Sequence, residues 1–208
     1  MKLLDYIEEN TIVTERLVIR PIDVSDPDEI HKYAGNKEID MMLFLPNDTI
    51  EQTVGFVRNA VREWSKEKPS VREYVMLHNG SIIGGIGLET IDVSTFEIGW
   101  VVSKDYRNKG FTTEAGNALI GYAFEKLAGH KGQLVFAKVQ GKNAVIMQGR
   151  YHYYEGYHIS RIVYPVKVMK KLGMTLTDNS GTRFYERTGV TSGELAYCIE
   201  KSEYEGNE

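Results

Sequence analysis

Between Ser103 and Leu127 the chain reads SKDYRNKGFTTEAGNALIGYAFEKL. Arg107, Lys109 and Gly110 fall together where an apolar run, TFEIGWVVS, gives way to an amphipathic helical pattern. Residue types in this order suit an anion. A tight turn points successive backbone N–H groups outward, and the first turn of the next helix adds unpaired N–H groups and the positive end of its dipole. Gly110 lets the backbone approach the anion closely, and the two cations add charge. Two common phosphate motifs are absent: there is no GxxxxGK[ST], and no GxGxxG after a first strand. By spacing alone, a solvated basic turn with a helix-starting glycine fits as well as an anion site.

The turn needs a strand before it and a helix after it, and the pattern supplies both. TFEIGWVVS puts Phe96, Ile98, Trp100 and Val102 on one strand face. Residues 112–129 put Ala115, Ala118, Leu119 and Tyr122 on the buried side of a helix. Upstream, TERLVIRPI (14–22) reads as a first strand stopped by proline. DPDEIHKYAG reads as a short helix with Asp26 as N-cap, Pro27 in the first turn and Gly35 at its end. IEQTVGFVRNAVREWSKEK (50–68) reads as a longer amphipathic helix with Ile50, Val54, Val57, Val61 and Trp64 on one face, and Asn79-Gly80 marks a hairpin between β-rich runs. Downstream, QLVFAKVQ is a strand, VKVMKKLGM is a short helix ended by Gly173, and final strands lie near 182–187 and 194–200. Tyr185 reads as a sheet residue, Cys198 as a small buried hydrophobe, and the tail KSEYEGNE as frayed. The order β-α-α-β-β-β-α-β-α-β-β predicts a mixed α/β sheet in one domain spanning 1–208, with its core at about 12–200.

Composition narrows the class. A chain of 208 residues that is 42% apolar can bury a sizeable core. Its net charge of −4 opposes nucleic-acid binding and tolerates cationic substrates such as amines. A single cysteine forms no intrachain disulfide, the N-terminus MKLLDYIEEN has no signal-peptide core, and no run is long and apolar enough to span a membrane. A soluble cytoplasmic protein without a membrane partner is the expectation.

The stretch IGWVVSKDYRNKGFTTEAGNALIGYAFEKL resembles the acyl-CoA-binding core of the GNAT N-acetyltransferase superfamily, most nearly its ribosomal-protein N-terminal acetyltransferase branch. TERLVIRPI, FLP with TIEQTVGFV, SIIGGIGL and VMKKLGM resemble other family segments in the same order, over roughly residues 12–200. The resemblance implies a single GNAT-like domain with a mixed, mostly antiparallel sheet flanked by helices and splayed central strands. It also implies acetyl-CoA as co-substrate, an amine as acceptor and no metal. The pyrophosphate motif Arg/Gln-x-x-Gly-x-Gly/Ala falls on Arg107, Asn108, Lys109, Gly110, Phe111 and Thr112, so a threonine replaces the last small residue. Amides from about Lys109 to Thr113 are implied to hold the pyrophosphate. Trp100, Val101 and Val102 are implied to line the pantetheine, and Asn143 to bond it.

Amine attack on a thioester needs a neutral amine, alignment, a donor for the developing oxyanion, and in some cases a proton for the leaving thiolate. The implied oxyanion donor is a backbone N–H near Val101 or Val102. Glu97, on the opposite strand face from Trp100 and Val102, is the first base candidate, against a solvent-facing or structural glutamate. Glu186 is the second, against a surface ion pair. A family tyrosine that protonates the thiolate is replaced here by Met169, and a serine by Ile146. About 144–164 the pattern breaks with a tyrosine-rich insertion, AVIMQGRYHYYEGYHISRIVY. It reads as an acceptor-site lid supplying an acid, or as a packing element that could make a homodimer contact. Its histidines lack a strong zinc spacing. These readings converge on transfer of acetyl from acetyl-CoA to a primary amine, a protein N-terminus or a small amine, in a ternary complex. The alternative is a non-catalytic acyl-CoA-binding or regulatory module, consistent with Thr112 and Met169.

Overall fold

The computed structural model describes residues 3–35, 48–92, 95–127, 134–140, 166–185 and 190–205. Its elements run α1 (Leu3–Glu9), β1 (Ile12–Val13), β2 (Val18–Pro21), α2 (Pro27–Ala34), α3 (Ile50–Trp64), β3 (Val71–His78), β4 (Ser81–Thr90) and β5 (Thr95–Val102). A short 3-10 turn (Lys104–Tyr106) leads into α4 (Phe111–Tyr122), which ends in a wider π turn. Then come β6 (Leu134–Gln140), α5 (166–171), β7 (Thr175–Tyr185), β8 (Val190–Glu200) and α6 (Lys201–Glu205).

Among the described residues the sheet is 8-stranded, in the order β1-β2-β3-β4-β5-β6-β8-β7. Every neighbouring pair is antiparallel except β5–β6, which is parallel and connected through α4. That is the expected mixed, mostly antiparallel α/β architecture. From β5, Phe96, Ile98 and Val102 are buried, and so are Ala115 and Leu119 from α4. Trp100, Ala118 and Tyr122 are only partly buried against the same core.

Turn chemistry fixes several boundaries. Asn79 and Gly80 both have positive φ, 50° and 79°, as a two-residue hairpin turn requires. Gly173, at φ 76°, ends α5: its N–H donates to the Lys170 carbonyl, and the Met174 N–H donates to the Met169 carbonyl at 3.0 Å. That pair of bonds closes a Schellman motif over two buried methionines. Helix α3 starts with a capping box. Thr49 Oγ1 accepts from the Gln52 N–H at 3.4 Å, and Gln52 Oε1 accepts from the Thr49 N–H at 3.3 Å. Thr49→Ala should lower stability by about 1 kcal/mol and Tm by roughly 2–4 °C in a thermal melt.

Three local expectations are corrected. Asp26 stands at the N-cap position of α2 but makes no side-chain cap bond. Its buried carboxylate instead takes a two-point ion pair from Arg20, at 2.7 and 2.8 Å, because a buried charge needs a partner more than a helix needs a cap. The expected strand over 14–22 is shorter. The Leu17 N–H donates to Thr14 Oγ1 at 3.1 Å, and that side-chain bond holds a turn between β1 and β2. The tail is helical as far as Glu205, not frayed from Lys201. Its Tyr204 ring packs 5.7 Å from that of Phe124, and its hydroxyl lies where a Cβ on Gly121 would be 2.8 Å away. Cys198 is half-buried, opposite Phe136 and Thr175.

Candidate functional site

Strands β5 and β6 pair at Thr95–Leu134, Phe96–Val135 and Glu97–Phe136. Beyond that point β5 continues to Val102 and β6 to Gln140, while β6 stays paired to β8 as far as Gln140–Glu194. The two parallel strands therefore part at their C-terminal ends, where open α/β sheets place their ligand crevice. Backbone alternation decides which groups face this gap. The Ser103 N–H donates to the Ile83 carbonyl at 2.9 Å, so odd-numbered residues of β5 bond toward β4. The N–H groups of Trp100 and Val102 thus point the other way, toward the gap. This narrows the sequence expectation for a backbone donor from Val101 or Val102 to Val102, and adds Trp100.

The turn after β5 stands at the mouth of the same gap. Arg107 is extended, Asn108 has φ 62° and Gly110 has φ 85°. Asparagine tolerates the left-handed region and glycine adopts it freely, so the chain can fold tightly here. Gly110 is the N-cap of α4 and offers no side-chain cap. The first intrahelical bond runs from the Glu114 N–H to the Gly110 carbonyl, at 3.0 Å, so the N–H groups of Phe111, Thr112 and Thr113 lie ahead of it at the positive end of the dipole. Thr112, the departure from the family motif, is half-buried in this turn, with its amide in place. Arg107 does more than add charge: its Nε donates to the Val102 carbonyl at 3.2 Å and ties the turn to the strand end. The Lys109 ammonium lies 5.3 Å from the Tyr106 ring centroid.

Sequence reading missed two residues that brace this turn. The Arg16 guanidinium lies 4.6 Å from the Phe111 ring centroid and donates to the Lys109 carbonyl at 3.0 Å. Glu114 holds it through a 2.6 Å ion pair, and also accepts from the Arg16 N–H and the Thr14 hydroxyl. Burial alone would raise the Glu114 pKa, but the Thr14 and Arg16 donors together hold it below the usual value. No local signal could have found this brace, because its partners are 98 residues apart in sequence.

Glu97 is the last β5 residue paired with β6, so it sits at the apex of the gap. It is half-buried and is paired with Glu89 on β4. Met169, at the family's acid position, is 1% exposed and belongs to the core. Tyr185 ends β7 opposite Val190. Glu186, Asn143 and the tyrosine-rich stretch at 144–164 lie outside the described residues.

Comparison with known proteins bears on this geometry. A family model described as an acetyltransferase (GNAT) domain matches residues 16–175. An uncharacterized N-acetyltransferase of Bacillus subtilis, YnaD, is 26% identical over 166 residues, covering 78% of this chain and 81% of that protein. The ribosomal L7/L12 alpha-N-protein acetyltransferase RimL in complex with coenzyme A shares the fold, with a TM-score of 0.68 at 14% identity over 91% of this chain and 96% of that one. A shorter match has higher identity. Purine nucleoside phosphorylase 1 of Geobacillus stearothermophilus is 54% identical over 46 residues, 22% of this chain, and the chain spans only 17% of that protein's length. A segment of that size is near the lower limit for a self-supporting core, so it does not by itself carry a fold. The acetyltransferase family model runs through the parting strands, the glycine turn and α4, and the chain belongs to the GNAT acetyltransferase family.

Proposed function

We propose that this chain transfers acetyl from acetyl-CoA to a primary amine by direct attack in a ternary complex. One observation carries the reading. The gap between β5 and β6, with the Trp100 and Val102 amides facing it, opens beside the glycine turn at the start of α4. A long ligand with an anionic middle and an extended arm fits that arrangement. The pyrophosphate would meet amides from Lys109 to Thr113, with Arg107, Asn108 and Lys109 around it. The pantetheine would run along Trp100, Val101 and Val102. When bound, acetyl-CoA supplies an activated acetyl carbon whose leaving group is a thiolate.

The protein's own groups have three tasks. Glu97, at the apex of the gap, accepts the proton that makes the incoming amine nucleophilic, directly or through water. The Trp100 or Val102 N–H stabilises the developing oxyanion, a role that needs no special side chain. The thiolate leaves unaided, because a thiol is far more acidic than an alcohol. A buried methionine at position 169 is compatible with that last step.

The test is an acceptor screen of the whole chain against acetyl-CoA, reading thiol release, with protein N-terminal peptides and small amines as acceptors. At least one amine class should be turned over. Acetyl-CoA binding without turnover of any amine would favour the non-catalytic acyl-CoA module.

A further inference from the structure

Arg16 reaches the Gly110 turn from the bend between β1 and β2, and each nitrogen of its guanidinium is used there. Nε and Nη2 hold Glu114 Oε2 at 2.7 and 2.6 Å, and Nη1 donates to the Lys109 carbonyl at 3.0 Å. The other carboxylate oxygen, Glu114 Oε1, accepts from the Arg16 N–H at 2.8 Å and from the Thr14 hydroxyl at 2.6 Å. One carboxylate therefore fixes both the backbone and the side chain of Arg16. Two rings add to this. The guanidinium lies 4.6 Å from the Phe111 ring centroid, and the His78 ring lies 4.6 Å from the same ring. His78 Nδ1 is 3.0 Å from the Arg16 carbonyl, and because a carbonyl only accepts, the ring donates from that nitrogen.

A planar trans peptide points its C=O and its N–H in opposite directions. With the Lys109 carbonyl drawn onto Arg16, the Gly110 N–H points away from Arg16. Among the described residues no oxygen accepts from that N–H. Glycine takes φ of either sign, so this peptide could turn over at little cost if nothing held it. A guanidinium on the carbonyl also polarises the peptide, which strengthens its N–H as a donor. We propose that Arg16 and Glu114 are positioning residues for the pyrophosphate: they lock the Lys109–Gly110 peptide with its N–H toward the anion, without touching the ligand themselves. This rests on acetyl-CoA occupying the turn, as the acetyl-transfer reading has it.

Charge alone gives Glu114 the opposite role. It is a carboxylate in the first turn of α4, beside the amides that would hold an anion. As a bare charge it repels the pyrophosphate, and its removal would tighten binding. As the anchor of Arg16 it keeps the peptide in place, and its removal weakens binding. The two accounts differ in sign.

Calorimetry with acetyl-CoA on wild type, Glu114→Gln and Arg16→Lys decides between them. Glu114→Gln should bind acetyl-CoA about fivefold more weakly, although it removes a like charge. Arg16→Lys keeps the positive charge but cannot fork between a carboxylate and a carbonyl, so it should lose a similar factor. In turnover assays the loss should fall on the acetyl-CoA KM rather than on kcat or the amine KM, because a contact with the pyrophosphate is the same in ground and transition states. Unchanged or tighter acetyl-CoA binding in Glu114→Gln overturns the proposal, and so does wild-type binding in Arg16→Lys. Amide NMR separates orientation from a general loosening of the fold. In wild type the Gly110 amide proton should shift downfield on adding coenzyme A, as a new charge-assisted hydrogen bond requires. In Glu114→Gln that shift should shrink while the rest of the spectrum is retained, and an equal shift in both proteins overturns the proposal. If wild type binds acetyl-CoA but turns over no amine, acetyl transfer fails and the binding ratios still judge the lock. If wild type does not bind acetyl-CoA, both fall.

Discussion

Glu97→Gln should lower kcat about 10²-fold or more while acetyl-CoA affinity stays near that of the wild type. The substitution keeps size and hydrogen-bonding capacity and removes the proton acceptor, so the packing at the apex of β5 and β6 is preserved. Position argues for the effect. Glu97 is the last residue before the strands part, so its side chain stands above the inner end of the gap, on the opposite face from Phe96 and Ile98. Residual activity should recover as pH rises, because a primary amine with a pKa near 10.4 becomes less protonated and needs its base less. Rate profiles from about pH 6 to 9, the range in which a general base normally works, would show this. Wild-type kcat in Glu97→Gln across that range would assign the residue to structure.

The parts of this fold legible in the sequence are those set by a few adjacent residues. Asn79-Gly80, Gly110 and Gly173 each mark a point where the chain must take positive φ, and each does so. The alternation in TFEIGWVVS likewise separates Glu97 from the core face without any knowledge of the neighbouring strands. What escaped depends on contacts between distant segments. Thr14 bends the first strand, and so delivers Arg16 to Glu114 beside the Gly110 turn. Neither residue looks special in its own window. Tyr204 anchors a charged tail by meeting α4 and the turn after it. Glu73 left a faint mark. In VREYVML it interrupts an otherwise apolar face between Val71 and Val75, and such a carboxyl needs a reason to be there. The reason, a glycine track on the next two strands, exists only in the paired sheet.

Gly110→Asp should weaken acetyl-CoA binding by about tenfold or more, through charge more than through backbone strain. Two effects act at this position and can be separated. At φ 85° any side chain costs about 1–2 kcal/mol, although Asp and Asn are among the residues that best tolerate the left-handed region. The second effect is a carboxylate placed among the N–H groups that open α4, competing with an anion for the same donors. A Cβ here would lie 3.3 Å from Arg16 Nη2, so an introduced carboxylate also has a cation within reach, one already engaged by Glu114. Drawing Arg16 away would loosen the brace on the Lys109 carbonyl and add to the loss. Gly110→Asn carries the same backbone burden without the charge, so it should bind acetyl-CoA more tightly than Gly110→Asp and less tightly than wild type. The gap between the two variants should shrink as salt is added, because the turn is exposed and its charges are screened. Calorimetry of all three proteins at low and high salt checks the ordering. Unchanged acetyl-CoA affinity in a folded Gly110→Asp protein would remove the pyrophosphate from this turn.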